Sequence, residues 1–142
     1  MKQKINELKL TLPALSANES AARAIVGAFC AQLDPTVEEL ADLKCAVSEA
    51  VTNAIVHAYG GHGGPIYISV ALFDDRSITV VIRDRGCGIA DVAQARQPLF
   101  TTGADGERSG MGFSVMETFT DRLTVRSRIG VGTRVTMKKC LS

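Results

Sequence analysis

Apolar and polar residues alternate between positions 4 and 12, with Leu8, Leu10 and Leu12 set against Glu7, Lys9 and Thr11. A period of two predicts a half-buried strand, and Pro13 stops it. The period then lengthens. Ser16-Ala17-Asn18-Glu19 matches a capping box, and the spacing predicts a helix to about Leu33 with Ala22, Ile25, Val26 and Phe29 on one face. Asp34-Pro35 reads as the N-cap and first-turn proline of a longer helix reaching about His57. Its apolar stripe is Val37, Leu40, Leu43, Val47, Val51, Ala54 and Ile55. The run Gly60-Gly61-His62-Gly63-Gly64-Pro65 ends that helix.

Residues 66 to 73 and 77 to 83 read as two strands joined by a hairpin turn at Asp74-Asp75-Arg76. Residues 90 to 108 show little period; the expectation is a short helix near Asp91 to Arg96, then a mobile loop. Residues 111 to 119 read as a helix with Phe113, Met116 and Phe119 on one side. Leu123 to Ser127 and Arg134 to Lys138 read as strands joined by Ile129-Gly130-Val131-Gly132. Helices thus stand between blocks of mainly antiparallel strands. That order predicts a two-layer α/β sandwich, with a mixed, mostly antiparallel sheet and helices on one face, and argues against a Rossmann fold.

Composition narrows the field. A chain of 142 residues, 46% apolar, suits one globular domain over residues 1–142. Sixteen basic residues against fifteen acidic ones give a formal charge of +1, which offers no reason to expect nucleic acid or an anionic membrane as partner. No apolar run approaches the ~20 residues that cross a bilayer. Met1-Lys2-Gln3-Lys4 leads straight into a strand pattern, so no signal peptide is expected and the expected location is the cytoplasm. The four cysteines form no C-x-x-C pair and should be free thiols, with Cys30 and Cys45 as packing residues and Cys87 inside a candidate ligand loop.

Four short motifs carry chemistry. Glu49, Asn53 and His57 are spaced i, i+4, i+8 on the long helix. They drift by only about 80° over two turns and share a stripe bordering the apolar face. Asn53 can offer a carbonyl oxygen to Mg²⁺, and Glu49 can take a proton from an incoming hydroxyl. The plain alternative is a solvated polar stripe, with His57 satisfying carbonyls at a helix end. Asp84-x-Gly86-x-Gly88 follows an apolar strand. Its carboxylate can accept from adenine's amine, and its glycines let a flat ring approach; an ordinary Asp-Gly turn is the alternative. Gly110-Met111-Gly112-Phe113 opens a helix whose free N–H groups suit phosphate, with Arg108 upstream as a partner for a γ-phosphate. Gly130-Val131-Gly132-Thr133 sits between the last strands, with Thr133 beside a base or simply in the strand.

In this order the motifs resemble the ATP-binding boxes of the GHKL, or Bergerat-fold, superfamily, over roughly residues 45 to 136. The resemblance implies that Asn53 ligates Mg²⁺, that Asp84 contacts the adenine amine, and that Gly110 to Gly112 hold phosphate. It places Gly86, Gly88, Thr102, Met111 and Thr133 among the ATP-contacting residues, and Glu49 and Arg108 in catalytic roles. Within the superfamily the chain is similar to the small serine kinases of the sporulation anti-sigma-F family. The runs Glu49 to Tyr59, Asp84-Arg85-Gly86 and Glu107 to Phe113 carry that likeness, with Asn18 to Arg23 upstream. It implies a homodimer that binds a sigma-F-type sigma factor through a surface including Arg23 and phosphorylates a serine of an anti-anti-sigma factor. The glycine-rich Gly60–Pro65 connection, with His62, departs from the family's usual wording.

Three other readings compete. One is a nucleotide-gated sigma-binding module without kinase activity, against which Glu49 weighs because pure binding needs no base. A second is a sigma-B-type stress regulator, which shares the boxes. A third is the detached catalytic domain of a histidine kinase, for which no helical segment bearing a phosphoacceptor histidine is expected. A gyrase-like ATPase would need a transducer domain, for which 142 residues leave no room.

Overall fold

Strands and helices divide the work of building one apolar layer. In the computed structural model, which describes residues 2–97 and 112–142, the order is β1 (Lys4–Pro13), α1 (Ala17–Cys30), a 3₁₀ turn (Ala31–Leu33), α2 (Val37–Asn53) and a π-helical turn (Ala54–Ala58). Then come β2 (Pro65–Phe73), β3 (Ser77–Asp84), α3 (Val92–Ala95), α4 (Gly112–Phe119), β4 (Arg122–Arg128) and β5 (Gly132–Cys140). The sheet order is β1-β2-β3-β5-β4. All four pairings are antiparallel, which narrows the expected mixed, mostly antiparallel sheet to a purely antiparallel one.

Alternation makes the sheet one-sided. Ile66, Ile68, Val70 and Leu72 of β2, with Ile78, Val80 and Ile82 of β3, are buried under the helices. Val135 and Met137 of β5 and Leu123 and Val125 of β4 continue that layer. Leu43, Ala46, Val47, Ala50 and Val51 of α2 close on it, with Ala22, Val26 and Cys30 of α1. Helix α2 packs between α1 and α4. Each fully buried aliphatic side chain contributes about 1.5–3 kcal/mol. Lys139 joins three elements, donating to the Phe119 carbonyl at the end of α4 at 3.1 Å and pairing with Asp42 of α2 at 3.5 Å. A cation at a helix C-terminus also meets the negative end of its dipole.

The helix starts differ from the sequence expectation. No capping box forms at Ser16, whose backbone is already helical (φ −54°, ψ −37°), and Glu19 turns to Arg23 and Ser48 instead. An N-cap needs extended backbone to aim its side chain at the first N–H groups. Asp34 does not cap α2 either; it takes left-handed backbone (φ 52°) to close the 3₁₀ turn. Thr36 is the cap (φ −66°, ψ 162°): its hydroxyl accepts from Glu39 N–H at 3.0 Å, and the Glu39 carboxylate accepts from Thr36 N–H at 2.9 Å. Val37 and Ile25, expected on apolar stripes, are exposed, Val37 lying about 120° round the helix from buried Leu43 and Ile25 about 100° from buried Val26. Cys45 is exposed rather than packed, whereas burial pushes the Cys30 thiol up to about 12.

Between α2 and β2, Gly60, Gly61, Gly63 and Gly64 all have positive φ, so the glycine-rich connection answers a backbone requirement. At the β2–β3 hairpin Arg76 also has positive φ (65°) and donates to the Leu33 carbonyl at 2.6 Å. Among the described residues no helix is long and apolar enough to cross a membrane.

The cap gives a pH test. Hydrogen bonds from the backbone N–H of Thr36, then of Ser142, hold the Glu39 carboxyl down to about 2, from an ordinary 4.5. A folded value below the unfolded one stabilises above the unfolded pKa and loses that contribution as pH falls towards the folded pKa. Urea unfolding at stepped pH should therefore show wild-type stability dropping between 4.5 and about 2 more steeply than that of Glu39→Gln. Equal slopes would remove the capping carboxylate as a source of stability.

Candidate functional site

A cavity of about 630 Å³ opens between α2, the ends of β3 and β5, and the start of α4. Glu49, Asn53 and His57 line it from α2, as their spacing on one helix stripe requires. Asp84, Gly88 and Thr133 line it from the sheet side, and Gly112 and Phe113 from α4. Ile82, Ala54, Ile89 and Val135 supply an apolar middle.

Asp84 is mostly buried, and its Oδ1 accepts from Gly86 N–H at 2.9 Å and from Thr133 N–H at 3.2 Å. Both bonds fall on one oxygen, so Oδ2 remains as an acceptor in the cavity wall. Burial pushes this carboxyl above its ordinary value, and the two N–H bonds offset part of that rise. The loop after β3 is tied on two sides. Cys87 N–H donates to the Ala58 carbonyl at 2.9 Å, and Gly130 N–H donates to the Cys87 carbonyl at 2.9 Å. A Cβ at Gly86 would run into the Ala58 carbonyl, so only glycine permits this approach.

The π-helical turn explains why Ala58 is there. Tyr59 N–H bonds back to Ala54 rather than to Ile55, which widens the last turn and carries the chain toward the loop. Tyr59 then braces both sides: its hydroxyl accepts from Arg85 N–H at 2.7 Å and donates to the Pro65 carbonyl at 2.6 Å. Burial pushes the Tyr59 pKa up from its ordinary value.

At the other end of the cavity, a Cβ on Gly112 would sit 3.0 Å from Asn53 Oδ1 and 3.4 Å from Glu49 Oε2. The first residue of α4 therefore lies directly against the Asn53 amide and the Glu49 carboxylate. Glu49 and Ala58 are nine residues apart on one helical rod, roughly 13 Å. One long cavity thus has a carboxylate acceptor near one end and a carboxylate, an amide and a helix start near the other.

The structure brings together Glu49, Asn53, Asp84, Gly88, Gly112 and Thr133 in this wall, with Gly86 immediately behind. Arg23 is set apart on α1, half-exposed, donating to Glu19 and to Ser48 Oγ, both at 3.2 Å; Glu19 and Ser48 themselves reach the cavity rim. Thr102, Arg108, Gly110 and Met111 lie outside the described residues. Ser127 was missed in the sequence. Its hydroxyl accepts from Ile89 N–H at 2.7 Å and lies 2.7 Å from Thr133 Oγ1, fixing the lower wall. Its register opposite Thr133 was the signal that could have found it. Tyr59 was present in the motif run but had no role assigned.

The wall suits an adenine nucleotide in its donors and in its length. Among the described residues no group of three His, Cys, Asp or Glu could hold a metal on its own. A single neutral oxygen at Asn53 instead suits Mg²⁺, which takes few protein ligands and completes its shell with phosphate and water.

Comparisons with known proteins address the family and the fold. The pattern of the histidine kinase-like ATPase domain family matches residues 12–139. The anti-sigma F factor of Geobacillus sp. (strain WCH70) is 52% identical over 138 residues, 96% of this chain and 94% of that protein. That of Bacillus licheniformis is 53% identical with the same coverage. Among solved structures, the RsbU and RsbW domains of a Mycobacterium tuberculosis protein superpose with a TM-score of 0.71 at 23% identity, covering 96% of this chain and 32% of that one. The histidine kinase domain of an Erythrobacter litoralis blue-light-activated kinase gives 0.57 at 17% identity, covering 87% of this chain and 61% of that one. These two likenesses concern the fold. The chain belongs to the histidine kinase-like ATPase domain family and, within it, to the anti-sigma F factors.

Asp84→Asn tests the wall. The amide keeps an oxygen for both N–H bonds but puts a donor where Oδ2 accepts. A raised folded pKa means the ionised carboxylate costs stability above that pKa, a cost the amide removes. The expected result at neutral pH is a thermal midpoint at or above that of wild type, with no ATP binding by calorimetry. Unaltered ATP affinity would take Asp84 out of the nucleotide site.

Proposed function

We propose that this family member is an ATP-dependent protein-serine kinase that also acts as an anti-sigma factor. In this reading it inhibits a sporulation sigma factor of the sigma-F type and phosphorylates a serine of its anti-anti-sigma factor. It works in the cytoplasm as a homodimer. The observation that supports it most is the single cavity in which Asp84 faces one end and Glu49 and Asn53 meet Gly112 at the other. The anti-sigma F factors at 52 and 53% identity support the choice of partner class.

Each residue has a defined task. Asp84 Oδ2 accepts from the adenine amine while Oδ1 keeps the loop and β5 in place. Gly86 and Gly88 let the base lie against backbone, and Thr133 stands beside it with Ser127 fixing its hydroxyl. Asn53 offers its oxygen to Mg²⁺, which when bound neutralises phosphate charge. Gly110, Met111 and Gly112 present backbone N–H groups to phosphate, Thr102 contributes a hydroxyl, and Arg108 pairs with the γ-phosphate. Glu49 accepts the proton of the target serine as its oxygen attacks.

Glu49→Gln separates binding from chemistry. Phosphoserine formation on a cognate anti-anti-sigma protein, followed by mass spectrometry, should fall by about 10²- to 10⁴-fold while ATP affinity stays unchanged. A near-wild-type rate would dismiss Glu49 as the base. Failure of the wild type to phosphorylate, with sigma inhibition intact, would leave a nucleotide-gated binding module.

Arg23 is assigned to the partner surface. It is half-exposed and held upright by Glu19 and Ser48 at the cavity rim. Arg23→Glu should weaken capture of both protein partners in a pull-down and leave ATP titration unaltered, because charge reversal acts at an interface. Normal partner capture would remove Arg23 from that surface.

A further inference from the structure

The sheet face turned away from the helices carries a second concavity, of about 420 Å³. Arg83, Arg85, Arg126, Arg128 and Arg134 line it. Strand register explains the gathering: Arg83 of β3 pairs with Arg134 of β5, which pairs with Arg126 of β4. Three guanidinium groups therefore stand on one rung, with neighbouring strands roughly 4.8 Å apart. Arg85 and Arg128 flank the same end, and Lys138 and Arg122 share a parallel rung.

Like charges directly opposite on a sheet destabilise it, so this row costs stability. Cation–π contacts of Arg83 and Arg85 with the Tyr67 ring offset part of that cost. Among the described residues none of these arginines has a carboxylate within salt-bridge distance. Glu7 of this face is on β1 and pairs with Lys4, and Asp84, which also borders the concavity, spends Oδ1 on the Gly86 and Thr133 N–H groups. From Arg122 to Ser142 there are six basic residues and no acidic one. The formal charge of +1 therefore hides a segregated surface.

We propose that this arginine groove docks an acidic segment of a partner protein. It goes beyond the function above, which assigns partner contact to α1. Guanidinium forks on adjacent strands match carboxylates bidentately. A nucleic acid fits less well. Among the described residues the aromatic rings of this face already carry a cation, Tyr67 with Arg83 at 4.5 Å and Arg85 at 5.1 Å and Phe73 with Lys2 at 4.3 Å, which leaves no bare ring there for a base. A second copy fits less well where the two-fold axis passes through this row, which would set the arginines against themselves.

The test uses the full chain and Arg126→Glu/Arg134→Glu, with Arg126→Ala/Arg134→Ala as the milder pair and thermal melting as the check on folding. The probes are a labelled short glutamate-rich peptide and a single-stranded oligonucleotide of matched charge, read by fluorescence anisotropy, with sedimentation for self-association. Wild type should bind the peptide with an affinity that falls as salt rises. The alanine pair should weaken it about tenfold or more, and reversal should abolish it. ATP affinity should be the same in all three proteins. Peptide binding indifferent to both variants would overturn the proposal. So would tighter binding of the oligonucleotide, or a wild-type oligomer that the reversal dissociates.

Discussion

One oxygen atom, Oδ1 of Asp84, accepts hydrogen bonds from Gly86 at the end of β3 and from Thr133 at the start of β5. The geometry of the cavity hangs on that pair. It sets the loop after β3 at the depth where Cys87 meets the Ala58 carbonyl, and it leaves the second carboxylate oxygen in the wall. Burying a carboxylate is unfavourable unless its lone pairs are satisfied. The rise in its pKa indicates that the two bonds only partly offset burial. A site of this kind holds a reservoir of unsatisfied acceptor strength that a ligand's donor can relieve.

The sheet serves two faces by pleat parity alone. Along β3, Ile78, Val80, Ile82 and Asp84 point to the helices, while Thr79, Val81 and Arg83 point away. Asp84 and Arg83 are neighbours in sequence and belong to different surfaces. Asp84 and Thr133, buried between them, border both concavities. The partition between nucleotide wall and cationic groove is one strand thick.

Much of this was legible in the sequence for physical reasons. Strand alternation, the glycine-rich break and the hairpin at Asp74-Asp75-Arg76 are local signals, and the elements follow them. Helical spacing put Glu49, Asn53 and His57 on one stripe, and all three line the cavity. The caps were misread because Ser16 and Asp34 have the right side chains on the wrong backbone; only φ and ψ distinguish them from Thr36. Ser127 and Tyr59 act through partners far along the chain, and no local period announces such bonds. The arginine row was invisible for the same reason, since it exists only once three strands are in register.

The π-helical turn at Ala54–Ala58 holds a further consequence. It carries one residue more than an α-helical turn would need, so the rod has two phases. Residues up to Asn53 are timed to the cavity and the core, and Tyr59 is timed to the loop. Rewinding this stretch as regular α-helix with every residue kept would swing everything beyond by about 100°. The Tyr59 hydroxyl would leave Arg85 and Pro65, and the Ala58 carbonyl would leave Cys87. The winding of the turn, rather than the identity of its residues, is thus the constrained quantity at the seam between helix and loop.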